Sequence, residues 1–170
     1  LLTQALLPHL RKQRQAQVIF IGSALGRLGL PGFSVYSAGK FGLRGFAESL
    51  RRELADSPVR VQYLGPRSTR TEFNSESVER YNKATGTAMD SADTAGQGLM
   101  KLLESEAAEQ FLGFPEKLAV RINALAPALL DGAFAKHRGS LEPVGEPPKP
   151  VLEWSADSME SFIDSHSLLN

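Results

Sequence analysis

At 170 residues the chain is about one domain, able to bury roughly two-thirds of its surface around a single core, so a second enzyme domain does not fit. Its 19 lysines and arginines balance 19 aspartates and glutamates and no basic run stands out, which disfavours nucleic acid and anionic lipid as partners. Cysteine is absent, which excludes disulfides, thiol catalysis and cysteine-ligated metals; the three histidines, His9, His137 and His166, are far apart and lack a carboxylate at ligand spacing, so no metal site is expected.

No apolar segment reaches the ~18 residues of a membrane span and no charged leader with a cleavage site opens the chain, so a cytoplasmic location is expected. The chain opens without methionine, and Leu2, Leu6, Leu7 and Leu10 already follow a helical period. This reads as a helix over 1–13 entered partway. Val18-Ile19-Phe20-Ile21 is short, β-branched and ended by Gly22-Ser23, which predicts a buried parallel strand over 17–22 opening at Ser23, where ligands collect. After a Gly/Pro loop, Ser34 is placed to cap a helix over 34–56. On it Leu43, Phe46, Ala47, Leu50 and Leu54 share one face, and Arg44, Glu48 and Arg51 face water. Tyr36 and Lys40 stack one turn apart on that helix. A free tyrosine titrates near pH ~10, and an ammonium at this spacing supplies a cation that favours its phenolate, so the pair makes a proton-transfer device.

Ser57-Pro58 leads into a second strand, Val59-Arg-Val-Gln-Tyr-Leu64. Strands and helices in this order predict parallel pairing and half of a doubly wound sheet. Residues 74–90 mix Asn, Ser, Glu, Lys and Gly without period and read as a loop. Ser91 or Asp93 can start the next helix, with Leu99, Leu102 and Leu103 inward, and residues 109–114 can supply a short last strand ended by Pro115. From 116 to 137, Leu118, Ile122, Leu125, Leu129 and Phe134 recur at helical spacing, with Pro127 placed to kink or split the element. Such a stripe reads as core or subunit interface rather than a membrane-surface face, because its polar side is not strongly basic. Beyond Arg138, Pro143, Pro147, Pro148 and Pro150 form a linker towards Trp154, Phe162 and Ile163, so 138–170 is expected to be a docking or disordered tail.

Ser23 precedes Tyr36 by thirteen positions and Lys40 follows it by four. This spacing and its surroundings resemble the short-chain dehydrogenase/reductase family, whose signature is Tyr-x-x-x-Lys preceded by a serine. Carried over residue by residue, the resemblance implies that Ser23 holds the substrate oxygen and Tyr36 exchanges the proton. It also implies that Lys40 supports the phenolate while binding the cofactor ribose. Hydride transfer itself belongs to the nicotinamide of NAD or NADP. Residues 65–73 are similar to the family's loop that holds the nicotinamide carboxamide, with Pro66, Thr69 and Thr71 at the matching positions. Arg67 stands where the family has glycine, and an arginine resists the positive φ that glycine permits, so a changed loop is expected there. Further implications are a small-molecule alcohol or carbonyl substrate, a substrate lid over 74–90, and a homodimer or homotetramer through helices 1–13 and 34–56.

The resemblance covers residues 1 to about 137 and corresponds to the family's carboxyl-terminal half. No Gly-x-x-x-Gly-x-Gly turn follows a strand, no acidic residue stands at ribose distance and Asn-Asn-Ala-Gly is missing. The expected fold is therefore a Rossmann-like α/β domain, a doubly wound parallel sheet without its amino-terminal βαβ units, and the fragment alone is expected to be inactive. Gly39, Gly42 and Gly45 read as close-packing positions on the helix. Two other readings stay open. One is a non-catalytic truncated member of the family or an interaction module. The other, more remote, takes Ser37-Ala-Gly-Lys40 as the Ser-x-x-Lys of an acyl-transfer enzyme with Ser37 as nucleophile, but the accompanying Ser-Asp-Asn and Lys-Thr-Gly are missing. Gly22-Ser23-Ala-Leu-Gly26 likewise fails the Gly-x-Ser-x-Gly of a hydrolase elbow, because its first glycine adjoins the serine.

Overall fold

The computed structural model describes residues 2–72, 74 and 76–139; of the expected tail, 140–170 lies outside the described residues. Helix α1 (Leu2–Leu10) leads into strand β1 (Ala16–Ile21), helix α2 (Ser34–Glu53) and strand β2 (Val59–Gly65). Then come α3 (Glu76–Thr85), α4 (Ala92–Ser105), strand β3 (Glu109–Phe111), α5 (Glu116–Leu125) and α6 (Ala135–Gly139). The strands lie in the order β1-β2-β3, all parallel, with Ala16 opposite Val59 and Tyr63 opposite Glu109. This is the expected α/β architecture.

The two-residue period of β2 divides the core. Val59, Val61 and Tyr63 point to one face, where they pack with Ala47, Leu50 and Leu54 of α2 and its end, joined by Leu7 and Leu10 of α1. Leu64 points to the other, against Leu102 of α4 and Leu112. Gln62 shares that second face and is buried, and its Nε2 donates to the carbonyls of Leu102 (2.8 Å) and Ala107 (2.9 Å) at the end of α4. A sheet covered by helices on both faces is what a parallel arrangement requires.

Several boundaries and packing expectations shift. Phe33, not Ser34, occupies the N-cap of α2, and it makes no side-chain cap bond; the helix ends at Glu53 rather than 56. Arg44 does not face water: its guanidinium meets Glu109 at 3.0 Å and Glu48 at 3.0 Å, while Arg27 reaches the same Glu109 at 3.2 Å. Among the described residues a methyl at Gly39, Gly42 or Gly45 would meet nothing within 4 Å, so no described residue packs closely on these glycines. The segment expected as a loop over 74–90 contains α3, whose period was hidden because Val78 and Tyr81 are its only inward apolar side chains. Ser91 does cap α4, its hydroxyl accepting the Thr94 N–H at 3.1 Å. Pro127 does split the last helical stretch, opening a 3₁₀ turn over Pro127–Leu130, and Leu118, Leu125 and Leu129 of that stripe are exposed. Among the described residues no helix is long and apolar enough to cross a membrane.

The tightest joint lies where β1 ends. The Tyr63 hydroxyl donates to the Ser23 carbonyl at 2.9 Å and accepts the Ser23 N–H at 3.0 Å. A Cβ at Gly22 would come within 2.0 Å of that phenol oxygen and one at Gly26 within 2.2 Å, so only glycine lets the turn close over the ring. Tyr63→Phe leaves the buried Ser23 N–H without a partner and its carbonyl with only the Gly26 N–H, and the complete protein is expected to lose about 1–3 kcal/mol of stability. Urea denaturation checks this; an unchanged midpoint would show that the clasp contributes nothing.

Candidate active site

Ser23 is extended (φ −160°, ψ 160°), and its Oγ accepts the Leu25 N–H at 3.1 Å, capping a 3₁₀ turn over Ala24–Gly26. Accepting that bond leaves the hydroxyl proton unspent. Burial pushes the Tyr63 phenol above its usual pKa, so it remains a neutral donor to the Ser23 carbonyl. The Ala24 N–H donates to the Pro66 carbonyl at 2.7 Å, which ties the exits of β1 and β2 together.

Those two exits and the start of α2 surround a cavity of about 630 Å³. Ser23, Tyr36, Pro66, Thr69 and Thr71 all line it. Tyr36 is 47% exposed in the first turn of α2, and the Lys40 ammonium lies 5.5 Å from its ring centroid, over the ring face. Lys40 itself stands off the cavity wall, so the structure brings together every expected site residue except that it places Lys40 behind Tyr36. Ser37 is 7% exposed, has no hydrogen-bond partner for its hydroxyl and does not line the cavity. A buried hydroxyl turned away from the cavity is ill placed to attack a substrate.

Arg67 is accommodated without a positive φ. Among the described non-glycine residues only Glu106 has a positive φ, so Arg67 sits in ordinary backbone space. Its guanidinium, with the side chain 16% exposed, bonds Asp90 Oδ1 at 2.6 Å and lies 3.5 Å from Glu116 Oε2. The aliphatic arm crosses Gly113, whose φ is 85° and whose added Cβ would meet Arg67 Cδ at 2.5 Å. The Asp90 backbone completes the fastening: its N–H donates to the Ser68 carbonyl and its carbonyl accepts the Arg70 N–H, both at 2.8 Å. The loop after β2 is thus pinned to α4 and α5.

The remaining wall comes from residues that carried no signal in the sequence. Tyr81 of α3 is 9% exposed, and its hydroxyl donates to the Pro31 carbonyl at 3.2 Å and bonds His137 Nδ1 at 2.8 Å. His137 is buried, while His9 is exposed at the end of α1 beside Gln13. Asn82 Nδ2 donates to Ser68 Oγ at 2.9 Å, joining α3 to the loop after β2. Among the described residues no three His, Asp or Glu side chains are grouped to hold a metal ion.

Residues 1–82 match the family model for short chain dehydrogenase. Over 148 residues, 83% of this chain, the sequence is 29% identical to the dehydrogenase/reductase SDR family protein 7-like of Drosophila melanogaster, of which it covers 45%. Over 105 residues, 60% of this chain, it is 35% identical to a 3-oxoacyl-[acyl-carrier-protein] reductase of Bos taurus, of which it covers 44%. The chain therefore spans less than half the length of these curated relatives. The fold is similar to that of a short chain dehydrogenase from Burkholderia cenocepacia crystallised in complex with NADP. That likeness has a TM-score of 0.65 at 23% identity and covers 78% of this chain and 52% of the other. A short-chain dehydrogenase from Streptomyces avermitilis is also similar, with a TM-score of 0.61 at 24% identity over 83% of this chain and 58% of the other. The sequence match runs through the strand, turn and helix that carry Ser23 and Tyr36, and the parallel sheet agrees with the fold of the structural neighbours, so the chain is similar in sequence and in fold to short-chain dehydrogenases.

Proposed function

We propose that the protein of which this chain is part is an NAD(P)-dependent oxidoreductase interconverting an alcohol and a carbonyl, with Tyr36 as its general acid and base. The observation that carries this reading is the convergence of Ser23 and Tyr36 on one cavity beside Pro66, Thr69 and Thr71. A bound nicotinamide supplies the acceptance or donation of hydride. In the oxidative direction the substrate O–H proton passes to the Tyr36 phenolate oxygen as the carbinol C–H leaves as hydride, and the C=O bond forms. In reduction the Tyr36 hydroxyl returns that proton to the carbonyl oxygen. Ser23 Oγ–H donates to the same oxygen in both directions, and Lys40 keeps a cation over the phenol ring.

The loop after β2 fits the nicotinamide end of the cofactor. Thr69 Oγ1 donates its proton to the Arg67 carbonyl at 3.1 Å, which leaves its lone pairs to accept from a carboxamide NH₂. The NADP bound by the Burkholderia relative supports the same cofactor class here. A homo-oligomer formed through α1 and α2 belongs to this reading, supported by the exposed Leu2, Leu6, Phe41 and Phe46, and a cytoplasmic location is proposed with it.

Replacing Tyr36 by Phe in the complete protein is expected to keep fold and cofactor affinity and to lower turnover by at least ~10²-fold. Ser37→Ala in the same assays is expected to be nearly silent. Near-normal turnover in the first, or loss of activity together with a covalent adduct on Ser37 in the wild type, would overturn the proposal in favour of acyl transfer. For Arg67→Gly, calorimetry is expected to show weaker NADPH or NADH binding, because the cation between Asp90 and Glu116 is gone and the loop is released. Unchanged affinity would show that the loop holds its shape without Arg67.

A further inference from the structure

We propose that the cavity takes an uncharged substrate whose carbonyl or carbinol carbon carries an aryl group, and that Phe33 and Phe134 determine this specificity by walling the space beyond Tyr36. The inference rests on the oxidoreductase reading for the reaction, but its ligand chemistry comes from the wall itself.

An unbroken run of rings leads away from the proton-transfer group. Phe33 meets Tyr36 edge-on at 6.2 Å between centroids and Tyr81 at 5.0 Å. Tyr81 meets His137 at 5.7 Å, and His137 meets Phe134 at 5.4 Å with planes 79° apart. All five line the cavity. Three of these pairs cross steeply and Tyr81–His137 is tilted at 47°, which leaves faces and edges to a further ring, and a flat aryl group gains offset or edge contacts there that a flexible alkyl chain does not. The wall is held stiff, since the Tyr81 hydroxyl is anchored to both Pro31 and His137.

The polar groups around this wall are already engaged with one another. Thr85 Oγ1 donates to the Tyr81 carbonyl at 2.9 Å and lies 2.7 Å from Thr87 Oγ1, and Asn82 is turned to Ser68. Burial raises the Tyr81 pKa, so its phenol adds no charge. The lining guanidinium and carboxylate, Arg67 and Glu116, form an ion pair with each other, with Asp90 on the guanidinium as well. Among the described residues the guanidinium and carboxylates of this wall are already paired with one another, and desolvating a charge brought in by the substrate is costly. The cavity of about 630 Å³, which the substrate shares with the nicotinamide end of the cofactor at Pro66, Thr69 and Thr71, lies in the range of ~300–1,000 Å³ that encloses drug-sized ligands.

The test uses the complete protein with NADPH or NADH and three ketones: acetophenone, butan-2-one and the charged 4-acetylbenzoate. Acetophenone is expected to exceed each of the others in kcat/KM by about tenfold or more, and Phe33→Leu and Phe134→Leu each to cut the acetophenone to butan-2-one ratio several-fold. Circular dichroism identifies a variant that fails to fold, and the other then carries the test. Equal kcat/KM values, or ratios unchanged in the folded variants, would overturn this inference while leaving the oxidoreductase reading intact. Saturation-transfer NMR with Tyr36→Phe separates the two further. Aryl signals from acetophenone that fade in the added Phe33→Leu exchange support the wall even if no ketone is turned over. Their absence from the folded Tyr36→Phe protein overturns the wall.

Discussion

One buried phenol sets the geometry of this protein's functional end. Tyr63 closes both backbone groups of Ser23 with a single hydroxyl, and it does so from the middle strand, which is the element with the least freedom to move. The ring lies in the core with 1% of its surface exposed, against Phe111 on one side and under the Gly22 and Gly26 turn on the other. Two glycines are needed because the phenol oxygen occupies the space of their missing side chains. A serine at the end of a strand is ordinarily free to turn; here its backbone is fastened, so its hydroxyl keeps one direction relative to the exit of β2 and the start of α2.

The second fastening is electrostatic. Arg67 draws Asp90 before α4 and Glu116 at the start of α5 towards the loop after β2. With the phenol clasp it holds two adjacent strand exits at fixed separation, and the cavity is the gap they leave. Partly buried guanidinium–carboxylate bonds of this kind are strong because water competes for them poorly. Their energy goes into loop placement, and the opposite charges lie against one another although Arg67 Nε and Glu116 Oε2 have no hydrogen-bond partner among the described residues.

What was legible in the sequence follows from which signals are local. The strand Val18-Ile19-Phe20-Ile21, the amphipathic α2, Ser91 as a cap and Pro127 as a breaker each act within a few residues and each appears close to its expected place, although β1 is only partly buried rather than buried and Phe46, expected on the inner face of α2, is half exposed. The spacing of Ser23, Tyr36 and Lys40 was equally visible. Tyr63 was read only as a strand residue, because its hydroxyl meets Ser23 across forty positions of chain and no periodicity marks such a bond. Tyr81 and His137, fifty-six positions apart, were hidden for the same reason. Helix α3 escaped because two inward side chains on a polar helix make too weak a period. The role of Arg67 was not legible, because its acidic partners Asp90 and Glu116 lie 23 and 49 positions away, whereas its avoidance of a positive φ followed from the residue type.

The central claim is that Tyr36 exchanges the substrate proton while hydride moves between a nicotinamide and the carbon bearing that oxygen. Its most direct test is to give the complete protein a neutral aryl ketone with cofactor deuterated on the transferring face of the nicotinamide and to analyse the alcohol by mass spectrometry and NMR. The account requires one deuterium on the carbinol carbon in the wild type and essentially no labelled alcohol from a folded, cofactor-binding Tyr36→Phe variant. Alcohol formed without the label, or labelled alcohol formed at the same rate by the variant, would contradict it.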